Sequence, residues 1–244
     1  MIRAYLLLPI LTLLVYTGCS TPNPLRCHIG VGDITPEGPV VLAGFATREG
    51  LSASVHRALK TRCIVIENDS ARICIISNDM MELPISLADE LRDEIALHTD
   101  IPREHIFIHA THTHSAPRVS GSSVEEGGTN HAFAAKFRET VVRNAIETAN
   151  NKKAFVPFAL EAGKGECFIN CNRREKEGPC DHTLYLIHLV DKRGKRIASF
   201  LNFACHPVSL NHRSLVVSTD FPGIAVEKLS KEWGSTLFYF SGAA

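Results

Sequence analysis

The stretch ALKTRCIVIENDSARICIIS, residues 58–77, decides the fold class. Two apolar runs, Ala58 to Glu67 and Arg72 to Ser77, are parted by Asn68-Asp69-Ser70, a polar break that predicts a β-hairpin. Just downstream, Ile85 to His98 carries Leu87, Leu91 and Ile95 at i, i+4 and i+8, the spacing of an amphipathic helix. Ile106 to Ile108 then reads as a strand. The alternation recurs. His131 to Asn151 places Phe133, Phe137 and Val141 at helical spacing, and Tyr185 to Val190 pairs with Ile197 to Ala204 across the polar turn Asp191 to Lys195. Asp220 stands where it would cap a third helix, with Val226, Leu229 and Trp233 on one face and Gly234 past its end. Thr236 to Phe240 reads as a final strand. Toward the N-terminus, His28 to Val31 and Val40 to Phe45 are β-like pieces around the Pro/Gly turn at 35–39. Strand pairs interleaved with helices predict an α/β fold of layered mixed β-sheets flanked by helices. No repeat, low-complexity tract or linker divides residues 28–244, so one domain, or part of one, is expected there.

Lys+Arg and Asp+Glu each number 26, a balance unlike the basic excess of a nucleic-acid binder. Hydrophobic residues at 45% against 21% charged supply a core and argue against disorder. Residues 1–18 read as a signal peptide, with Arg3 as a positive start and Tyr5 to Tyr16 as an apolar stretch. Thr17-Gly18-Cys19 ahead of a polar Ser/Pro run predicts the lipoprotein type, with Cys19 lipidated and residues 19–27 as a linker. An ordinary secretory peptide, or an uncleaved anchor, is the alternative. The expectation is an exported protein of the bacterial outer membrane or periplasm, held to a membrane surface by its lipid. Seven further cysteines follow, an odd number that leaves at least one thiol unpaired within one chain. Cys63, Cys74 and Cys205 lie in apolar runs and read as small core residues. Cys167, Cys171 and Cys180 lack zinc-knuckle spacing but admit a disulfide.

The strongest chemical signal is Thr111-His112-Thr113-His114-Ser115-Ala116-Pro117, just past a strand. In extended chain, His112 and His114 project to one side. Two imidazoles so placed suit a metal ion, or one ligand beside one acid/base group. A surface pair without a partner is the competing reading. Pro117 and the stretch Gly121 to Gly128 then lead away as a mobile loop. His206 follows the apolar strand Ile197 to Ala204 and precedes Pro207, a place that faces a cleft unless backbone satisfies the ring inside the core. Asn172-Arg173-Arg174 offers a guanidinium fork for a carbonyl or carboxylate oxygen, or a solvated loop. Asp220 is either the helix cap or a carboxylate supporting a ligand histidine, the cap being favoured.

Several motifs occur in order: Gly30-Val31-Gly32-Asp33-Ile34-Thr35-Pro36, Leu42-Ala43-Gly44-Phe45, Asn78-Asp79, Ala110 to Pro117, Asn172-Arg173, Phe203 to Pro207 and Ser218 to Gly223. Together they resemble the N-terminal catalytic domain of the neutral/alkaline non-lysosomal ceramidases, in a short bacterial lipoprotein-like branch where Ser115-Ala116-Pro117 replaces S-G-P. The resemblance implies a Zn2+-dependent amidohydrolase that splits an N-acyl sphingosine, or a related lipid amide, into fatty acid and amine. It implies His112 and His206 as metal ligands, His114 beside the scissile amide, Arg173 on substrate oxygen and Gly44 lining the substrate pocket. It also implies truncation. The family continues past the position of Ala244 into a Gly-Asp/Asn-x-x-Pro loop, and its remaining ligands, a Glu and a Tyr, lie further on. A catalytic zinc usually takes three protein ligands, so this chain is expected to bind it weakly by itself. Two other readings stand beside this one: a non-catalytic lipid- or glycan-binding surface lipoprotein, and a metallohydrolase of another amide or ester.

Overall fold

The computed structural model describes residues 24–243; residues 1–18, read above as a signal peptide, and Cys19 lie outside the described residues. In chain order the elements are β1 (Arg26–Asp33), β2 (Ser54–Val55), β3 (Lys60–Glu67), β4 (Arg72–Asn78), α1 (Ile85–Leu97) and β5 (Ile106–Ala110). There follow α2 (His131–Asn150), β6 (Val156–Pro157), β7 (Ala159–Glu166), β8 (Thr183–Val190), β9 (Arg196–Phe203), β10 (Val216–Val217), α3 (Asp220–Trp233) and β11 (Thr236–Ser241). One sheet runs β5-β4-β3-β1-β6 and another β11-β9-β8-β7, while β10 and β2 form a small parallel pair. Both large sheets are mixed: β4 is parallel to β5 and β9 to β11, and their other pairings are antiparallel.

Side-chain alternation along the strands sorts the core into layers. On β3, Cys63 and Val65 pack with Leu87, Leu91 and Ile95 of α1 and Phe137, Val141 and Ala145 of α2. Ile64, next along the strand, turns the other way and packs with Leu189, Ala198 and Phe238 of the second sheet. On β11, Phe238 faces the first sheet, whereas Leu237 and Tyr239 pack with Val226 of α3. The order is therefore helices, sheet, sheet, helix. Burying Phe137, Phe238 and similar side chains contributes roughly 1.5–3 kcal/mol each. The Gly-Val-Gly signature of β1 has a packing reason. A Cβ at Gly30 would lie 2.1 Å from Thr148 Oγ1, and one at Gly32 would lie 2.9 Å from Thr140 Cγ2, so the two glycines let α2 settle onto the strand.

The expected hairpin, three helices, β8/β9 pair and final strand are all present. Two readings need correction, and one strand went unread. Val40 to Phe45 forms no strand: Leu42 makes one isolated bridge to Pro117, and Ala43 N–H donates to Ala116 O (2.9 Å). Strand β7 escaped the pattern reading because every one of its residues is exposed, so it has no apolar face. The segment from Gly121 to Gly128 is a loop of turns, as expected, anchored by Asn130 N–H on Ser123 O (2.6 Å) and by the Asn130 amide on Val41 and Arg118 carbonyls (2.8 Å each). Cys205 is only half-buried and lines a cavity, unlike the fully buried Cys63 and Cys74.

Candidate metal centre

The parallel pairs β4/β5 and β9/β11 end at the same place. Chain leaving β5 is stitched to chain leaving β4: Thr111 N–H donates to Asn78 O and His112 N–H to Met80 O, each 2.9 Å. His112 turns there with φ +68°, a left-handed conformation uncommon for a residue with a Cβ. The two histidines do converge, but through this kink and not through the regular alternation of a strand. Farther on, Thr113 Oγ1 donates to Ser218 O (2.8 Å), and His114 N–H reaches Pro207 O (3.4 Å), tying the motif directly to the residue after His206.

The outcome is three imidazoles in mutual contact. Ring centroids are 5.0 Å apart for His112 and His114, 4.6 Å for His112 and His206, and 4.7 Å for His114 and His206. One ring nitrogen from each lies within 4.8 Å of the others. His112 Nδ1 sits 2.8 Å from Met81 O; a carbonyl only accepts, so Nδ1 carries the proton and Nε2 keeps its lone pair. His114 Nε2 and His206 Nε2 are 2.9 Å apart. Two nitrogens on one tetrahedral zinc, at about 2.0–2.1 Å from the ion, would be about 3.3 Å apart, so nitrogens gathered this closely could share a cation after small shifts, whichever of the three rings hold it. The donor set therefore fits a metal ion.

The electrostatics agree. Burial, followed by the neighbouring His206 and His112, pushes His114 down to about 4 from 6.5, against a backbone hydrogen bond with Gly44 that works the other way. Its imidazole is thus neutral near pH 7, the form that accepts a proton or a metal. The Arg173 guanidinium also disfavours the His114 cation, so the two lie within electrostatic reach. Arg173 and His206 line one cleft of about 600 Å³ with Asn170, Asn172, Cys205 and Ile169.

Gly44 backs the His114 ring. With φ +105°, a Cβ on it would stand 2.5 Å from His114 Cγ and 2.6 Å from Nδ1. Nearby, Arg48 Nη1 donates to both Ala43 O and His114 O, each 2.7 Å, while its guanidinium lies 4.9 Å from the Phe45 ring centroid. Phe45 in turn meets His114 edge-on at 5.1 Å. Asp220 is not a conventional cap. It is the first residue of α3, its Oδ1 takes the next residue's N–H (2.6 Å), and its Oδ2 takes Leu210 N–H (3.2 Å), bracing the loop after His206.

Sequence reasoning passed over Arg48 and His109. His109 is packed on Phe240 and accepts Ser241 N–H at 3.2 Å; burial first, and then His112, push its pKa down to about 4. Phe45 was visible as part of the Leu-Ala-Gly-Phe motif, but nothing in the sequence marked Arg48.

Comparison with known proteins gives a consistent result. The family described as neutral/alkaline non-lysosomal ceramidase, N-terminal, matches residues 27–237. A neutral ceramidase of Oryza sativa subsp. japonica is 26% identical over 93% of this chain and 32% of its own length. Neutral ceramidase B of Dictyostelium discoideum is 24% identical over 84% of the chain and 32% of its own. The chain thus spans about a third of these relatives. In three dimensions it resembles the neutral ceramidase from Pseudomonas aeruginosa with a TM-score of 0.73 and 22% identity, over 88% of this chain and 38% of that one.

Proposed function

This chain belongs to the neutral/alkaline non-lysosomal ceramidase family, and from that premise we propose that it supplies the histidine side of a zinc-dependent amidohydrolase. The substrate is ceramide or a related lipid amide, cleaved at the N-acyl bond to fatty acid and amine. The observation that carries this reading is the meeting of His112, His114 and His206 beside one cleft. His112 and His206 would hold the ion. Zinc bound there supplies Lewis acidity toward the amide carbonyl and brings the pKa of water to about 7. His114, neutral and beside the two ligands, takes a proton and passes it to the departing amine. Arg173 offers two parallel N–H donors to the oxygen on which negative charge develops. Gly44 keeps the His114 ring seated. Phe168 and Ile169 are 70% and 67% exposed next to the polar wall, and Ile169 lines the cleft; an acyl chain would cover such surface.

The test is metal content and hydrolysis of a fluorogenic ceramide, on this chain and on one extended with the C-terminal portion its relatives carry. The extended protein should hold zinc and turn over. His112→Ala and His206→Ala should each lose the metal, whereas His114→Ala should keep it and lose rate. Loss of metal in His114→Ala as well would make His114 a third ligand, and an inactive, zinc-free extended protein would end the enzyme reading. For localisation, the pattern of residues 1–19 supports export and lipid attachment at Cys19. Incorporation of labelled fatty acid that disappears in Cys19→Ser checks it.

A further inference from the structure

Across the loop that carries Arg173, hydrogen bonds pair residue with residue. Asn170 Nδ2 donates to Asp181 O at 2.6 Å, and Asn172 Nδ2 donates to Pro179 O at 3.2 Å. Farther from the tip, past a shift in register, Cys167 N–H reaches His182 O at 2.8 Å. The 170/181 and 172/179 contacts bracket a third facing pair, Cys171 and Cys180. Both residues line the same cleft. The limbs are close: a Cβ at Gly178 would lie 2.6 Å from Asn172 Nδ2. Both side chains are free thiols, Cys171 exposed and Cys180 half-buried.

We propose that Cys171 and Cys180 are a dithiol site that oxidises to a disulfide, closing the ten-residue loop 171–180 at the rim of the metal-centre cleft. The oxidant is an external disulfide. The Cys171 thiolate attacks it, forming a mixed disulfide and releasing one external thiolate. The Cys180 thiolate then attacks the Cys171 sulfur of that mixed disulfide, the S–S bond forms within the chain, and the second external thiolate leaves. Two electrons pass to the oxidant, and the protein loses two protons. Closure fixes Arg173, two residues from one bridgehead, to the cleft wall; this last consequence rests on the reading of Arg173 above, whereas the disulfide does not.

Trypsin cuts after Arg173, Arg174 and Lys176, so it separates the two cysteines. The chain is equilibrated with oxidised glutathione, capped with N-ethylmaleimide, digested without reduction and mapped. Peptide 165–173 should appear linked to peptide 177–192, with Cys205 capped on peptide 197–213. In a Cys167→Ser variant the link should persist, and in Cys180→Ser it should vanish and leave Cys171 either capped or held as the glutathione mixed disulfide. Nicking at Arg173 should slow at least several-fold on oxidation and recover with dithiothreitol. Capping of Cys171 and Cys180 as complete as in the reduced protein, or their linkage to Cys167 or Cys205 instead, would overturn the assignment. An unchanged nicking rate would overturn the closure.

Discussion

Replacing Gly44 by alanine isolates what seats the His114 ring. Two costs add. An L-residue forced to a positive φ such as +105° loses about 1–2 kcal/mol. The new methyl would also stand 2.5–2.6 Å from three atoms of His114, an overpacking that costs about 1–3 kcal/mol while neighbours shift. The expected total is about 2–5 kcal/mol, which in a domain of this size lowers Tm on the order of 10 °C. Gly121 is the internal control: it has φ +72°, but a Cβ there meets nothing within 4 Å. Gly121→Ala therefore carries the backbone cost alone. Calorimetric or urea unfolding of the two metal-free variants gives the steric part by difference. If Gly44→Ala is no more destabilising than Gly121→Ala, the close approach of Gly44 to His114 is not what holds the ring, and the positioning argument fails.

Three further outcomes are expected. Asp79 is fully buried and accepts from Arg62 Nη1 (3.0 Å) and Lys60 N–H (2.9 Å), so Asp79→Ala strands the Arg62 charge and should cost about 3–5 kcal/mol in urea unfolding, with Asp79→Asn milder. Arg48→Met removes the donor to the Ala43 and His114 carbonyls; a loss of about 2 kcal/mol is expected by the same measurement. The metal-free chain should weaken in mild acid. The His109 and His114 imidazoles titrate near 4 when folded against 6.5 when unfolded, so above pH 6.5 neither state binds the proton, and below it the unfolded chain binds first. Stability should fall from pH 6.5 to about pH 4, by up to about 3 kcal/mol per imidazole, as read from Tm across that range.

Much of the frame was legible because its elements are amphipathic. The β3/β4 hairpin and helices α1 and α2 carry apolar residues at the period of the structure they adopt, so pattern and fold agree. Strand β7 was illegible for the converse reason: Ala-Leu-Glu-Ala-Gly-Lys-Gly-Glu has no buried face to announce it. Buried Leu42 and Ala43 misled, since a loop pressed onto a neighbouring loop buries side chains without a ladder. At the site, the types and order of His112, His114 and His206 were readable. Their convergence depends on a left-handed turn at His112 and on carbonyl partners 30 or more residues away, which no local period encodes. The Arg48 brace has the same character: its acceptor at His114 lies 66 positions along the chain.

Each imidazole of the cluster sits beyond the last residue of the strand that delivers it, His112 and His114 after Ala110 and His206 after Phe203. None contributes a rung to either sheet. Reactivity and architecture are thus written in separate letters of the same text. Substitutions in the short connections at this rim therefore reach the imidazoles without touching a rung of either sheet.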